Sequence, residues 1–351
     1  MRALRQVQAV VPAGIDDPAL PSGGNAYDRR VLDGLQAQGW TVTEHLVPGR
    51  WPRPDAAAMA GLAAVVASVP TGSVLLVDGI VASAAEAVLV PAADRLRLVV
   101  LVHLPLGVSH PEATEGRVLR AATGVVTTSG WTREMLLDAY ALAPGGVHVA
   151  RPGVDAALPA SGSPDGGRLL CVAAVTAQKG HADLVAALAL VADLPWSCVL
   201  VGALTREPDV VDTVRRRLAS SGLVERVHLR GALVGAELDR AYAAADLLVL
   251  PSRLETYGMV VTEALAHGVP ALATDVGGVR EALGEAGGGL PGLLVPAGSP
   301  EALAVALRSW LTDPGLRGRL RRHALARRDT LSSWGETARH VSVLLERVGN
   351  R

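Results

Sequence analysis

At 351 residues, half of them hydrophobic and 19% charged, the chain is long for a single core, and two domains of roughly 150–200 residues are expected. With a net charge of −1 nothing suggests a nucleic-acid footprint, and no run of about 18 apolar residues exists to cross a membrane. Phenylalanine is absent, and the 33 lysine and arginine residues include a single lysine, Lys179.

In chain order, "MRALRQVQAVVPAG" has too short an apolar stretch for a signal peptide and enters a strand pattern at once, so a cytoplasmic protein is expected, with membrane contact at most peripheral. Short apolar runs then alternate with helix-period segments, the pattern of parallel α/β sheets. Strands are predicted near 6–11, 41–46, 73–77, 97–102, 124–128 and 146–150, with the clearest helices over 25–38 and 130–140. "PGVDAALPASGSPDGG" (152–167) reads as a linker between a first domain, 1–151, and a second, 168–332. The pattern restarts with strands near 168–175, 197–202, 226–231, 246–250, 270–274 and 292–295. Helices are predicted near 180–192, 208–221, 235–244, 257–267, 278–284 and 299–311. The basic run "RGRLRRHALARR" (317–328) reads as the solvated face of a late helix, with attraction to a membrane surface as a lesser reading. Cys171 and Cys198 lie in apolar strand-like runs and are expected as buried thiols. Two doubly wound sheets each bind ligands at the carboxyl ends of their strands, which predicts a site in a cleft between them.

Two stretches carry chemistry. Lys179 and Gly180 fall between the first strand of the second half and its helix, where free amides and the helix dipole favour a phosphate. A lysine there adds a compact, mobile charge; the bland reading is a solvated turn lysine. In "LPSRLETYGMVVTEALAHGVPALATDVGGVREAL" (250–283), Glu255 lies in a loop after a strand, and Glu263 lies in a helix apolar on nearly every side. A carboxylate buried there costs several kcal/mol unless paired. A ribose diol would satisfy it with two hydroxyl donors; an arginine within the fold would do the same. Gly258 would let a ligand approach the first free amides of the helix.

The glutamate, seven residues, glutamate pattern of 255–263 resembles the retaining glycosyltransferases of family 4, which have the GT-B fold. So do "PSGGNAYDRRVLDGLQAQGWTV" (21–42), "VVLVHLPL" (99–106), "TTSGWTREML" (127–136), "RPGVD" (151–155), "VAAVTAQKGHADLVAAL" (172–188) and "WGETARHVSVLLERV" (334–348), in this order. The resemblance implies an acceptor-binding first domain, a nucleotide-sugar-binding second domain, and a C-terminal helix, 333–351, that packs back on the first. It implies that Lys179 binds the donor diphosphate, helped by the amides of Gly23 and Gly24. Glu263 would hold the ribose and Glu255 the hydroxyls of the donor sugar. Tyr257, Gly258, Met259 and Val260 would contact phosphate or sugar through their amides. His103 would sit close to the sugar near its reacting face, unless it is merely a satisfied strand-end histidine. His103, Lys179 and Glu255 are the catalytic candidates.

One departure stands out. Family members usually carry an arginine five residues before the lysine, and this chain has Ala174. Arg253 or Arg151 is the candidate replacement. No Asp-x-Asp pair is present to hold a divalent ion, so metal-independent transfer without a cofactor is expected. The resemblance implies a front-face route in which the leaving phosphate takes the acceptor proton. The expected partners are a UDP- or GDP-sugar and a small-molecule, glycan or lipid-linked acceptor. The acceptor is expected against the loops 14–24, 48–55 and 106–117, with Asn25, Trp51 and Arg117 as candidate contacts. Trp51 would stack on the acceptor or pin its proline-rich loop; Arg117 and Arg120 hint at an anionic acceptor. Two rival readings are a sugar-nucleotide binder that has lost catalysis, which Ala174 favours, and a nucleotide-sugar epimerase on the same fold.

Overall fold

A computed structural model describes residues 5–17, 21–106 and 114–350. The described residues divide into two compact units, one made of 5–17, 22–153 and 332–350, the other of Pro21 and Val154–Leu331. Among the described residues no helix is long and apolar enough to cross a membrane.

The first unit is built on a parallel sheet of β1 (Gln6–Pro12), β2 (Thr41–Val47), β3 (Val74–Asp78), β4 (Arg97–Val102), β5 (Gly124–Thr127) and β6 (Val147–Val149). Their spatial order is β2-β1-β3-β4-β5-β6, with β1 facing β2 in register from Gln6–Thr41 to Pro12–Val47. Every residue of β3 is buried, as expected for a strand covered on both faces. The helix Gly23–Ala37 starts at Ser22, whose hydroxyl accepts from the Asn25 amide. It buries Tyr27, Val31, Leu32 and Leu35 at helical spacing. The C-terminal helix, Trp334–Gly349, belongs to this unit and opens with a capping box between Ser333 and Glu336. Its Val341, Leu344, Leu345 and Val348 complete the core beneath β1, β3, β4 and β5. Gly34 allows the contact, because a Cβ there would fall 2.5 Å from that of Ala338.

The second unit has β7 (Arg168–Val172), β8 (Ser197–Val201), β9 (Val227–Gly231), β10 (Leu247–Leu250), β11 (Ala271–Thr274) and β12 (Gly292–Val295), again all parallel, in the order β12-β11-β10-β7-β8-β9. The strand expected over 168–175 stops at Val172, and the helix expected over 257–267 runs from Met259 to Ala266 because Gly258 (φ +94°) breaks the chain into it. Cys171 and Cys198 are free and buried, and burial pushes the Cys171 thiol up to about 12.

The basic run does not form the solvated face expected of it. On the helix Pro314–Arg328 only Arg319 and Arg322 of its arginines are exposed. Arg317 donates to the carbonyls of Trp310 and Leu311, Arg321 to Ala160, Arg327 to Leu283, and Arg328 to Ala157 and Ala266. These carbonyls end helices or belong to the segment after Gly153, and a guanidinium with five donors can serve two of them at once. Arg226 works the same way, donating to the carbonyls of Ala192, Leu194 and Trp196 while its guanidinium lies 3.7 Å from the Trp196 ring centre. An ammonium could not reproduce that fork.

Candidate active site

In the second unit β7 and β10 are neighbours, although two strands, β8 and β9, separate them in the chain, and the strand order reverses between them. Loops leaving such a pair diverge and open a crevice. After β7 the chain makes a short turn, Ala177–Lys179, and enters the helix His181–Ala189 through Gly180 at φ +68°. A Cβ on Gly180 would fall 2.0 Å from the Pro251 carbonyl oxygen, so glycine is what lets the loop after β10 close on this turn. The Arg253 amide donates to the Gln178 carbonyl across the same contact.

This closure places the lone lysine against the loop glutamate. Lys179 Nζ lies 2.6 Å from Glu255 Oε1, which also accepts from Ser252 Oγ at 2.7 Å. Both side chains keep some exposure, 28% for Lys179 and 11% for Glu255. The Glu255 backbone is fixed from the far side, where its carbonyl accepts from the Gly278 amide and a Cβ on Gly277 would overlap it. Ser252, Gly277 and Gly278 thus support the site although sequence reasoning gave them no role; "DVGG" (275–278) was the signal for the two glycines.

Arg253 stands on the same loop, but its guanidinium pairs with Asp183 at 2.9 Å. An exposed pair of this kind is worth under about 1 kcal/mol and yields to a stronger anion. Arg151 belongs to the first unit. Tyr257 is buried, and Met259 and Val260 form the first turn of the helix that Gly258 opens, where amides lack intrahelical acceptors. Glu263, in the middle of that helix, pairs with no arginine among the described residues: its Oε2 accepts from the Tyr242 hydroxyl at 2.6 Å. Burial raises the Glu263 pKa, with the Tyr242 bond and His267 opposing.

In the first unit Gly23 and Gly24 are the first residues of their helix, and Gly24 lies against the His103 ring, where a Cβ would be 3.3 Å from Cδ2. His103, just beyond β4, is flanked by two acids that the sequence reading missed. Its Nε2 is 2.6 Å from Asp28 Oδ1 and 3.5 Å from Asp78 Oδ2, and the two carboxyls are 1% and 4% exposed. The other Asp78 oxygen, Oδ1, accepts from the amides of Ile80 and Val81. The Tyr27 ring closes the cluster, its centre 5.0 Å from that of His103 and the two planes at 65°. Burial works to lower the His103 pKa, but the charge and hydrogen bonds of Asp28 and Asp78 outweigh it and raise it to about 10. Burial pushes Asp28 up to about 7 against the pull of His103. Asp78 stays low despite burial, held by hydrogen bonds from His103, Asp28 and the Val81 amide.

One atom from each of Asp28, Asp78 and His103 lies within 4.8 Å of the others, which is the spacing of a cation site. A 2.6 Å contact, however, is a direct hydrogen bond; ligand atoms around one small ion sit roughly 3 Å apart when each bond is about 2.1 Å. The occupant this geometry fits is a proton.

The candidate acceptor contacts are engaged within the fold. Asn25 Nδ2 donates to the Gly14 carbonyl, Trp51 Nε1 to the Val47 carbonyl, and Arg117 pairs with Glu86 at 2.6 Å. Trp51 packs on the core beside β2 and pins its loop. Arg120 reaches the Tyr140 carbonyl at 3.4 Å. Of the loops expected around the acceptor, residues 18–20 and 107–113 lie outside the described residues.

Residues 159–327, nearly all of the second unit, match the family model described as Glycosyl transferases group 1. The D-inositol 3-phosphate glycosyltransferase of Kineococcus radiotolerans is 36% identical over 252 residues, 64% of this chain and 57% of that protein. The mannosylfructose-phosphate synthase of Agrobacterium fabrum is 26% identical, covering 65% of this chain and 54% of its own. The chain thus spans little more than half the length of these curated relatives. Among solved structures, sucrose-phosphate synthase from Thermosynechococcus elongatus superimposes with a TM-score of 0.79 at 22% identity over 98% of both chains. Anabaena HepE in complex with UDP and glucose gives 0.76 at 18% identity, over 98% of this chain and 100% of its own.

The chain has the GT-B fold of these solved structures, and the group 1 glycosyl transferase match falls on its second unit. That match is consistent with the family 4 resemblance of the sequence.

Proposed function

We propose that this protein is a retaining, metal-independent glycosyltransferase that moves a hexosyl unit from a UDP-sugar to an acceptor hydroxyl. The observation that carries the reading is the Lys179–Glu255 pair at the point where the strand order reverses. With a donor bound, Lys179 turns from Glu255 to the diphosphate, and Glu255, relieved of the ammonium, accepts from the hydroxyls of the sugar. Glu263 takes the ribose diol. The C1–O bond to the β-phosphate breaks, and the charge that grows on the leaving oxygen is stabilised by Lys179 and by the free amides of the helix that begins at Met259. The acceptor oxygen bonds to C1 on the same face, and its proton passes to the departing phosphate. Uridine is chosen over guanosine because HepE, a fold neighbour, is solved with UDP and with UDP-glucose.

The test is incubation with UDP-glucose, UDP-N-acetylglucosamine and GDP-mannose in EDTA with a panel of hydroxyl acceptors. Nucleotide release that depends on the acceptor, with a product of unchanged anomeric configuration by NMR, is the expected result. An inverted product, or release only with added divalent metal, would overturn the reading. Ala174 favours a second reading, a binder without turnover, which would show nucleotide affinity and no release with any acceptor.

A further inference from the structure

Glu263 sits where a carboxylate is costly. The helix Met259–Ala266 buries Val261, Thr262, Ala264, Leu265 and Ala266 around it, and burial pushes its pKa up. Left to itself such a group takes a proton or turns away, and a protonated or averted carboxyl is a poor acceptor for a diol.

The neighbouring helix, Ala236–Ala243, supplies the remedy. Tyr242, 2% exposed, directs its hydroxyl at Glu263 Oε2, 2.6 Å away. Burial and the Glu263 charge push the phenol well above its ordinary range, so it stays a donor. A carboxylate offers about four acceptor sites; Tyr242 uses one oxygen and leaves Oε1 for a ligand. The arrangement is braced from behind. The Tyr242 ring stacks on His267, with centres 5.2 Å apart and planes at 23°. His267 Nδ1 lies 2.9 Å from the Glu263 carbonyl oxygen, and its Nε2 lies 2.8 Å from Asp239 Oδ1. Side chain and backbone of Glu263 are therefore both held, through residues 21 and 4 positions away.

We infer that Tyr242 is a positioning residue of the donor site: its hydroxyl fixes the ionised Glu263 in the one orientation that presents Oε1 to the two ribose hydroxyls. The inference rests on the reading of Glu263 as the ribose ligand and adds what makes it competent. Tyr242 itself touches no ligand.

The test compares UDP with 2′,3′-dideoxy-UDP by calorimetry on the full chain, in wild type, Tyr242→Phe and Glu263→Gln. A site built to hydrogen-bond hydroxyls rejects the analogue that lacks them, so the wild type should prefer UDP by about a hundredfold. Tyr242→Phe keeps the ring and its stack on His267, so the fold is retained, which its circular dichroism and melting temperature check. It should cost UDP roughly tenfold, the worth of one hydrogen bond to a charged group, and leave dideoxy-UDP unchanged. Glu263→Gln should abolish most of the preference, and adding Tyr242→Phe to it should cost nothing further. If the wild type does not distinguish the two nucleotides, the assignment of Glu263 to the ribose is wrong, and the inference goes with it. If the wild type does distinguish them and Tyr242→Phe preserves the ratio, the ribose assignment stands and the role of Tyr242 is overturned.

Discussion

Replacing Asp28 with asparagine preserves the outline of the side chain and removes one of the two carboxylates that flank His103. In the folded first unit His103 keeps its proton to about 10, whereas a free histidine releases it near 6.5. A raised folded pKa contributes stability that is fully present below about 6.5 and is lost as pH rises through about 10. Each pKa unit corresponds to about 1.4 kcal/mol, which sets a ceiling of ~5 kcal/mol on this contribution. The proton is shared with Asp28, itself raised to about 7, so the two values count part of the same event, and roughly 2–4 kcal/mol is the working figure. Asp28 acts in the same direction at lower pH, because between about 4 and 7 the folded state holds a proton that the unfolded chain has released. Wild-type stability should therefore decline by roughly 2–4 kcal/mol from pH 6.5 to pH 10 on account of this cluster. Asp28→Asn should remove about half of that decline and cost about 2–3 kcal/mol at pH 7, since an imidazolium is left with Asp78 alone. Urea unfolding of both proteins at pH 6.5, 8 and 9.5 measures the difference, and ring ¹⁵N chemical shifts report the His103 proton directly. Parallel stability profiles for the two proteins would refute the reasoning, as would a His103 that titrates near 6.5.

Arg226→Lys should lose about 1–3 kcal/mol of stability by urea unfolding, because an ammonium cannot serve three carbonyls and stack on Trp196 at once; nucleotide affinity should be unchanged. Gly180→Ala should lower both stability, by about 2 kcal/mol or more, and nucleotide affinity, since its Cβ drives the Pro251 backbone away from the Lys179 turn. Ala174→Arg should strengthen nucleotide diphosphate binding about threefold or more, an effect that added salt weakens and calorimetry reads.

The two parallel sheets could be read from the sequence because strands covered on both faces, such as "VVLV" in β4 and "LLVL" in β10, are continuous apolar runs that loops do not imitate. Lys179 and Glu255 could be read as well, since each lies just beyond a strand end where ligands are expected. The partners of the site residues could not. Asp28 lies within a helix and Asp78 at a strand end, each a single acid in its own stretch, and only the order β1-β3-β4 brings them to His103. Tyr242 looked like any apolar helix residue, and its hydroxyl acquires meaning only beside Glu263. The basic run misled for a related reason: composition records that arginines are present but not that four of them point at carbonyls. Trp51 and Arg117 are likewise defined by nearby acceptors, the Val47 carbonyl and Glu86, rather than by their exposed loops.

The proposed function stands on the lone lysine holding the diphosphate of a sugar nucleotide. Calorimetric titration of UDP and GDP, in EDTA, into the wild type and Lys179→Ala tests it most directly. Micromolar binding of UDP that weakens at least about thirtyfold in the variant is expected, since a charged hydrogen-bond donor is worth about 2 kcal/mol or more. Equal binding by both proteins, or no binding of either nucleotide to the wild type, would contradict it.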